Sequence, residues 1–136
     1  KDKQHIGTQR LLRDLNHLYS QTPALHQLDF STKGFAWVDC HDTDQSVISY
    51  LRYAHDGTFM LIILNFTPVI RSGYRIGLPV SGSYREIINS DSSYYEGSNV
   101  GNMGRIDTTG HPWMGLPDSV VITLPPLSGL VFALQE

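Results

Sequence analysis

The stretch Phe59-Met60-Leu61-Ile62-Ile63-Leu64-Asn65-Phe66-Thr67-Pro68 is the longest near-continuous apolar run in the chain. It is too short to cross a membrane as a helix, and it is rich in branched aliphatic residues. The turn pair Asp56-Gly57 precedes it, and the sequence Asn-Phe-Thr-Pro closes it. A short unbroken apolar run between turn residues is typical of a strand that is covered on both faces. We therefore predict that residues 59–66 form the central strand and that the rest of the chain is built around it.

Further segments have the length and apolar content of short strands, and turn residues separate them. With the central strand they are residues 35–38, 46–53, 59–66, 74–78, 83–88, 119–124 and 130–134. The turn signals are Lys33-Gly34, Asp56-Gly57, Ser72-Gly73, Ser81-Gly82-Ser83, Pro125-Pro126 and Ser128-Gly129. Short strands joined by tight turns, with no helix between them, predict an all-β fold with the architecture of an antiparallel β-sandwich. Asp56-Gly57 is the clearest hairpin signal among these turns.

One amphipathic helix is predicted before the strands, at residues 5–22. Its apolar stripe has helical spacing and consists of Leu11, Leu15, Leu18 and Tyr19, widened by Leu12. Pro23 ends the helix, because the residue before a proline is pushed out of the α region. Gly7 is expected to weaken the first turn. A single helix cannot bury such a stripe alone, so we expect it to lie on the β domain or on a segment outside this chain.

The segment from 89 to 118 differs from the rest in composition. It has few aliphatic residues and many Ser, Asn, Gly, Asp and Tyr residues. We expect one or two long polar loops here, because loops of this length in a compact domain are usually functional, interfacial or mobile.

Length and composition indicate one domain with a real core. The chain has 136 residues, of which 40% are hydrophobic and 17% are charged. A net charge of -3 and the lack of a Lys/Arg cluster argue against a nucleic-acid partner, and neither a signal peptide nor a membrane span is visible. Cys40 is the single cysteine, which suits a reducing compartment, so we expect a cytoplasmic protein. Because Lys1 leads directly into the helical pattern, the sequence reads as a piece of a longer protein.

The acidic segment Asp39-Cys40-His41-Asp42-Thr43-Asp44 gathers side chains that are able to bind a metal. Read as a calcium loop that starts at Asp42, it has Val47 where glycine is required and Tyr53 where glutamate is required. The other histidines lack the spacing of a zinc site. We therefore interpret the segment as a solvated turn between two strands, and we expect no metal and no cofactor.

The tripeptide Asn65-Phe66-Thr67 matches a glycosylation sequon. Glycosylation requires an exposed site, whereas Asn65 ends the most buried predicted strand and Pro68 follows closely. We interpret Asn65 as a structural residue whose amide caps a turn.

Tyr94 and Tyr95 in the polar segment, together with Trp113, are the best candidates for contact with sugar rings. A glycosidase pair could be drawn from Asp91 and Glu96, but hydrolysis requires two carboxylates at a defined separation across a cleft, and the spacing gives no such evidence. We therefore predict no catalytic residue in this chain. The alternative, which we favour, is that the aromatic side chains pack on the sandwich or on a neighbouring domain.

Motifs along nearly the whole chain resemble, in the same order, the closing region of glycogen branching enzymes. They begin with Arg10-Leu11-Leu12-Arg13-Asp14-Leu15-Asn16-His17-Leu18-Tyr19 and end with Leu124-Pro125-Pro126-Leu127-Ser128-Gly129-Leu130-Val131. Between them lie Pro23-Ala24-Leu25-His26, Gly34-Phe35-Ala36-Trp37-Val38-Asp39, Asn65-Phe66-Thr67-Pro68, Gly73-Tyr74-Arg75-Ile76-Gly77, Tyr84-Arg85-Glu86-Ile87-Ile88-Asn89-Ser90-Asp91 and Pro112-Trp113. Each motif alone is weak evidence for the resemblance, whereas all of them in this order are specific to the family.

The resemblance implies an origin in a 1,4-α-glucan branching enzyme of the α-amylase superfamily. Such an enzyme cuts an α-1,4-linked glucan and transfers the piece to a 6-hydroxyl, by a double displacement with an aspartate nucleophile and a glutamate acid/base. Those residues lie on the C-terminal face of the catalytic barrel, and the family's catalytic motifs do not occur in this sequence. The resemblance thus implies that residues 1–23 are the last helix of the barrel and that residues 24–136 are an amylase-type C-terminal β-sandwich.

Our leading hypothesis is a noncatalytic domain that covers and stabilises the barrel. Its expected partner is the catalytic barrel of the same chain, with a weak α-glucan contact through Tyr94, Tyr95 or Trp113 as an addition. Two alternatives stay open. The first is an autonomous carbohydrate-binding β-sandwich module, and the second is the C-terminal domain of another amylase-family enzyme.

Overall fold

A computed structural model describes residues 2–42 and 44–136 of the chain. In this part the helix α1 spans Lys3–Gln21, and single 3₁₀ turns lie at Pro23–Leu25, Thr32–Gly34 and Ser93–Tyr95. The strands are β1 Phe35–Asp42, β2 Val47–Tyr53, β3 Phe59–Asn65, β4 Arg71–Leu78, β5 Ser83–Asn89, β6 Arg105–Asp107, β7 Asp118–Leu124 and β8 Ser128–Leu134. Within the same described ranges, no helix is both long and apolar enough to cross a membrane.

Two antiparallel sheets form a sandwich, which confirms the predicted all-β fold with one N-terminal helix. Six strands make the large sheet in the order β1-β2-β3-β8-β5-β6, and β4 pairs with β7 in the small sheet. The main core lies between the sheets, where Leu61 and Phe132 of the large sheet pack with Ile76 and Val120 of the small one. All four side chains are fully buried.

The predicted central strand is confirmed as β3, which lies between β2 and β8. Ile63 belongs to the core between the sheets, whereas Ile62 packs into a second cluster on the opposite, outer face of the large sheet. Both side chains are buried, so the strand is covered on both faces, as the unbroken apolar run predicts. The hairpin before it is also present, with Gly57 at a φ of 85°.

Helix α1 lies on the outer face of the large sheet. Leu11 and Leu18 of its stripe pack against the second cluster, whose buried members include Ile62, Ile88 and Val131. The helix begins two residues earlier than predicted, because the Asp2 side chain caps it by accepting a hydrogen bond from the Gln4 backbone N–H. The rest of the stripe stays exposed, with Leu12 at 56%, Leu15 at 40% and Tyr19 at 49% exposure.

The acidic segment differs from its prediction as a solvated turn. Strand β1 continues through Asp42, which pairs with Val47 of β2, so Asp39 and His41 belong to the strand. Register shifts on both sides of Asp39 let the irregular segment stay in the ladder. Asp42 is held there by a hydrogen bond from the Tyr74 hydroxyl. Thr43, the fifth residue of that prediction, lies outside the described residues.

Two other turn signals lie inside strands. Ser72-Gly73 is part of β4, where a register shift and a φ of 66° at Gly73 mark a bulge instead of a turn. Ser128-Gly129 opens β8, and the preceding turn depends on Leu127, which has a φ of 45°. The signal at Ser72-Gly73 predicts the wrong structure because a positive φ serves a bulge as well as a turn.

The polar segment after β5 is not loop throughout. Three of its residues form β6, an edge strand in which Ile106 pairs with Tyr84 of β5. Ile106 is 6% exposed and joins the core between the sheets. One buried side chain in a three-residue strand leaves no periodicity to detect, so the sequence interpretation missed this strand.

Asn65 has the structural role inferred from the sequence. Its side chain is 3% exposed, and its Nδ2 donates to the backbone oxygens of Val69 at 3.0 Å and Pro125 at 2.9 Å. Its Oδ1 accepts from the backbone N–H of Thr67 at 3.1 Å and from the Thr67 hydroxyl at 2.9 Å. The amide therefore ties the end of β3 to two neighbouring turns.

Candidate functional site

An open apolar groove runs along the outer face of the large sheet, between α1 and strands β2 and β3. We name it the helix-side groove and define it by Leu15, Leu18, Tyr19, Tyr50, Ile62 and Leu64. Its volume is about 510 Å³. The groove exists because α1 covers only part of the sheet, so side chains of the helix and of two strands line a gap between them.

Three aromatic rings extend the apolar surface to the edge of the same sheet. We name Phe35, Trp37 and Tyr50 the aromatic patch. Their ring centroids lie 4.8 Å apart for Phe35 and Trp37, and 5.1 Å apart for Phe35 and Tyr50. Trp37 pairs with Tyr50 across β1 and β2, and Tyr50 pairs with Ile62 across β2 and β3, so all of these side chains share the outer face. Phe35 is 37% exposed and Trp37 is 54% exposed.

Three polar side chains that line the groove, Tyr19, Asp29 and Arg52, are joined in a polar clasp. The Tyr19 hydroxyl of α1 donates to Asp29 at 2.7 Å, and Arg52 of β2 forms an ion pair with the same carboxylate. Arg52 also donates to the backbone oxygen of Leu25 at 3.2 Å. The hydrogen bond from Tyr19, followed by that from Arg52, lowers the pKa of Asp29. The clasp joins the helix, the segment after it and the sheet, which fixes the width of the groove.

Tyr94 and Tyr95 pack against α1. The Tyr95 hydroxyl donates to the Asp14 carboxylate at 2.7 Å, and Nη2 of Arg13 donates to the Tyr94 hydroxyl at 2.7 Å. The guanidinium of Arg10 lies 5.0 Å from the centroid of the Tyr94 ring. Burial and the contact with Asp14 raise the pKa of Tyr95. These contacts fasten the loop after β5 to the helix.

Trp113 does not pack against α1 as Tyr94 and Tyr95 do. It precedes β7 and packs on β4 of the small sheet, where the guanidinium of Arg75 lies 5.8 Å from its ring centroid. Arg75 and Gly77 alternate with the core-facing Tyr74 and Ile76 along β4, so Trp113 is on the outer face of the small sheet. The structure therefore does not bring the three predicted sugar-contact residues together on one surface.

Asp91, one of the acidic residues of the polar segment, holds the backbone of that segment. Asp91 accepts hydrogen bonds from the Ser98 hydroxyl at 2.7 Å and from the backbone N–H groups of Ser98 at 3.1 Å and Val100 at 3.0 Å. Glu96 is exposed and has a φ of 63°. Among the residues of the two described ranges, no three His, Cys, Asp or Glu side chains are grouped as metal ligands.

The aromatic patch is not among the sites that the sequence predicts. Phe35 and Trp37 are two residues apart in a predicted strand, so a shared face follows from the alternation of a strand. What the sequence did not reveal is which face of the sheet α1 covers and how much of that face stays open. The contact between Arg75 and Trp113 has no sequence signal either, since the two residues are far apart in the chain.

Comparison with known proteins agrees with this architecture. The sequence profile of the family described as "Alpha amylase, C-terminal all-beta domain" matches residues 37–135. A 1,4-alpha-glucan branching enzyme GlgB of Nitrosomonas europaea is 63% identical over 127 residues, which are 93% of this chain and 17% of that protein. One from Nitrosospira multiformis is 64% identical over 131 residues, or 96% of this chain and 18% of that protein.

A third relative, from Nitrosococcus oceani, carries the same name and is 55% identical over 131 residues, 96% of this chain and 17% of its own length. The matched segment thus spans less than a fifth of the length of each of these three relatives. The resemblance to branching enzymes is confirmed by these identities. Because the family profile covers most of the chain, the protein belongs to the family of alpha-amylase C-terminal all-beta domains.

Proposed function

We propose that residues 24–136 are a noncatalytic domain of a 1,4-α-glucan branching enzyme, that α1 is the last helix of its catalytic barrel, and that both dock on the rest of that barrel. The docking surface is the helix-side groove together with the aromatic patch. The whole enzyme transfers α-1,4-linked glucan segments to 6-hydroxyls in glycogen biosynthesis, as the names of the relatives and the family resemblance suggest. The single cysteine, Cys40, favours a cytoplasmic location.

The observation that carries the proposal is the continuous apolar surface on one side of the sandwich. It runs from Leu15 and Tyr19 of α1 through the groove to Phe35 and Trp37 of β1. Large contiguous apolar surfaces on otherwise polar domains mark interaction sites. We propose that the catalytic barrel covers this surface. The matched relative is more than five times longer than the matched segment, so most of such a protein lies outside this chain.

The noncatalytic role is supported by what the carboxylates do. Retaining transfer requires a nucleophile and an acid/base that face each other across the glucan. Asp91, which the sequence offers for such a pair, has its carboxylate occupied by Ser98 and Val100. For Tyr94 and Tyr95 we propose a structural role, the fastening of the loop to α1.

Incubation of amylose with the purified chain tests the noncatalytic role. We expect the iodine colour of amylose to stay unchanged, while a full-length branching enzyme that contains this segment lowers it. A loss of colour in proportion to the concentration of the chain would contradict the proposal.

A pair of matched substitutions tests the docking surface. Trp37→Asp places a charge in the aromatic patch, and Val121→Asp places one at a 44% exposed position on the other side of the sandwich. In the full-length enzyme, we expect Trp37→Asp to lower the thermal midpoint and the branching activity, and Val121→Asp to change neither. In the isolated chain, both variants should unfold at similar midpoints. A full-length Trp37→Asp enzyme that behaves like the wild type would contradict docking through this face.

A further inference from the structure

Trp113 is presented by a rigid hairpin. Its backbone N–H donates to the oxygen of Leu116 at 3.1 Å, and the Leu116 N–H donates back to the Trp113 oxygen at 2.9 Å. The two residues between them, Met114 and Gly115, both have positive φ, at 54° and 76°. Positive φ at both central positions is the mark of the tight type I′ turn. The position of the indole is therefore set by the backbone.

The hairpin sits directly on strand β4. A β carbon built on Gly77 would lie 2.3 Å from the Trp113 oxygen, so only glycine permits this approach. Arg75 supports the indole from the same strand, and its Nη1 is fixed by hydrogen bonds to the hydroxyls of Thr109 at 2.9 Å and Ser119 at 2.7 Å. With this support Trp113 is still 43% exposed. A large apolar ring that is held rigid and left open is suited to binding.

The open ring borders a groove of about 500 Å³ between the hairpin, the start of β4 and the end of β1. The polar side chains along it include Asp39, Gln45 and Ser72, together with Arg75. One carboxylate oxygen of Asp39 accepts from the His41 backbone N–H, and its second oxygen is not engaged in that bond. Carboxylate, amide and hydroxyl groups beside one aromatic face match a ligand that has an apolar ring face and a rim of hydroxyl groups.

The charges along this groove favour a neutral ligand. Asp39 and Asp42 contribute negative charge and Arg75 contributes positive charge. Because both signs are present, the groove is not complementary to a polyanion or to a polycation. We propose that the groove beside Trp113 is a surface subsite for a neutral glucan chain. The indole stacks on a sugar ring, and Asp39 and Gln45 hydrogen-bond its hydroxyls. The assignment to an α-1,4-linked glucan rests on the proposed function.

Intrinsic fluorescence of this chain with maltoheptaose tests the subsite. The chain has two tryptophans, so Trp37→Phe leaves Trp113 as the only indole reporter. We expect a saturable change in emission of this variant on titration. By calorimetry in the wild-type background, Trp113→Ala should weaken binding at least about tenfold, since a few aromatic anchors carry most of the affinity of such sites. Val121→Ala, at another exposed position of the small sheet, should bind like the wild type.

Asp39→Asn adds a variant that removes an acceptor without removing the ring, and we expect it to bind more weakly while circular dichroism shows an unchanged fold. Absence of saturable binding, or equal affinity in the wild type and Trp113→Ala, would overturn the subsite. Equal binding of cellohexaose, whose glucose units are β-linked, would overturn the α-glucan assignment. The docking proposal is tested independently of the subsite, because its test is the Trp37→Asp variant of the full-length enzyme, in which Trp113 is unchanged.

Discussion

The backbone of Gly7 in α1 touches the backbone of Tyr95, since a β carbon at Gly7 would lie 2.1 Å from the Tyr95 carbonyl oxygen. The Tyr95 hydroxyl bonds Asp14 two turns further along the helix. The 3₁₀ turn Ser93–Tyr95 therefore meets the helix at two points, one of which depends on the absence of a side chain.

We expect Gly7→Ala to destabilise the chain by roughly 1–3 kcal/mol, as in other overpacked interiors. Helix propensity alone predicts the opposite sign, because alanine stabilises a helix interior by about 1 kcal/mol relative to glycine. The contact with Tyr95 is made by backbone atoms, which cannot rotate away, so we expect the clash to dominate. Urea unfolding measures the difference, and Gln9→Ala at an exposed position of the same helix is the control. A Gly7→Ala chain more stable than the wild type would show that the helix does not sit this closely on the turn.

The contact of Gly7 with Tyr95 is an example of a feature that the sequence does not predict. Glycine in a helix predicts a weak first turn, and nothing nearby in the sequence indicates that a loop some ninety residues away requires it. By contrast, the central strand predicted at residues 59–66 agrees with β3 except for Phe66, which lies just outside the strand, because an unbroken apolar run between turn residues is a local signal. Contacts between distant segments, such as those of Gly7 with Tyr95 and of Arg75 with Trp113, leave no such signal.

The two faces of β3 are expected to contribute differently to stability. Ile63→Ala and Ile62→Ala each remove a buried side chain and should cost roughly 2–5 kcal/mol. Leu64→Ala should cost less, because Leu64 is only half-buried and lines the open helix-side groove. Urea melts of the three variants give the order. If Ile62→Ala and Ile63→Ala both shift the stability by less than about 1 kcal/mol, β3 is not the central strand of the core.

The candidate site was less predictable than the fold. The sequence suggests that Tyr94, Tyr95 and Trp113 belong together because they share a polar segment, but closeness in sequence does not place side chains on one surface. Two of them pack on α1 and the third packs on β4. The patch around Trp37 depends on how far a helix extends over a sheet, which follows from packing and not from periodicity.

Asn65→Asp tests the amide that ties β3 to its turns. The change keeps the shape of the side chain but replaces two N–H donors with an oxygen that faces the backbone oxygens of Val69 and Pro125. We expect a loss of at least about 2 kcal/mol at pH 7, because a buried charge would replace two satisfied hydrogen bonds. Asn16→Asp, at an exposed position of α1, is the matched control and should have little effect. Equal melting of the two variants would mean that Asn65 is not needed as a donor.

We expect the buried carboxyl group of Glu86 to make the stability of the chain depend on pH. Its side chain lines a polar cavity of about 290 Å³ with Asn89, Asn99 and Asn102, and its Oε2 has no hydrogen-bond partner among the described residues. Burial raises the pKa of Glu86 above the ordinary value of 4.5. Between that value and the higher pKa of the folded state, folding takes up a proton, so stability falls as the pH rises through this interval. Below pH 4.5 the carboxyl is neutral in both states, and the cost of burying its charge is absent.

Glu86→Gln removes this titration while it keeps the shape of the side chain. We therefore expect the variant to be more stable than the wild type at pH 7 and equally stable near pH 4, as measured by urea unfolding at the two pH values. Glu96→Gln, at an exposed position of the loop after β5, should match the wild type at both. If Glu86→Gln is instead less stable at pH 7, the ionised carboxylate gains more from its surroundings than it loses by burial. A cationic partner in the cavity, and not desolvation, would then set its protonation.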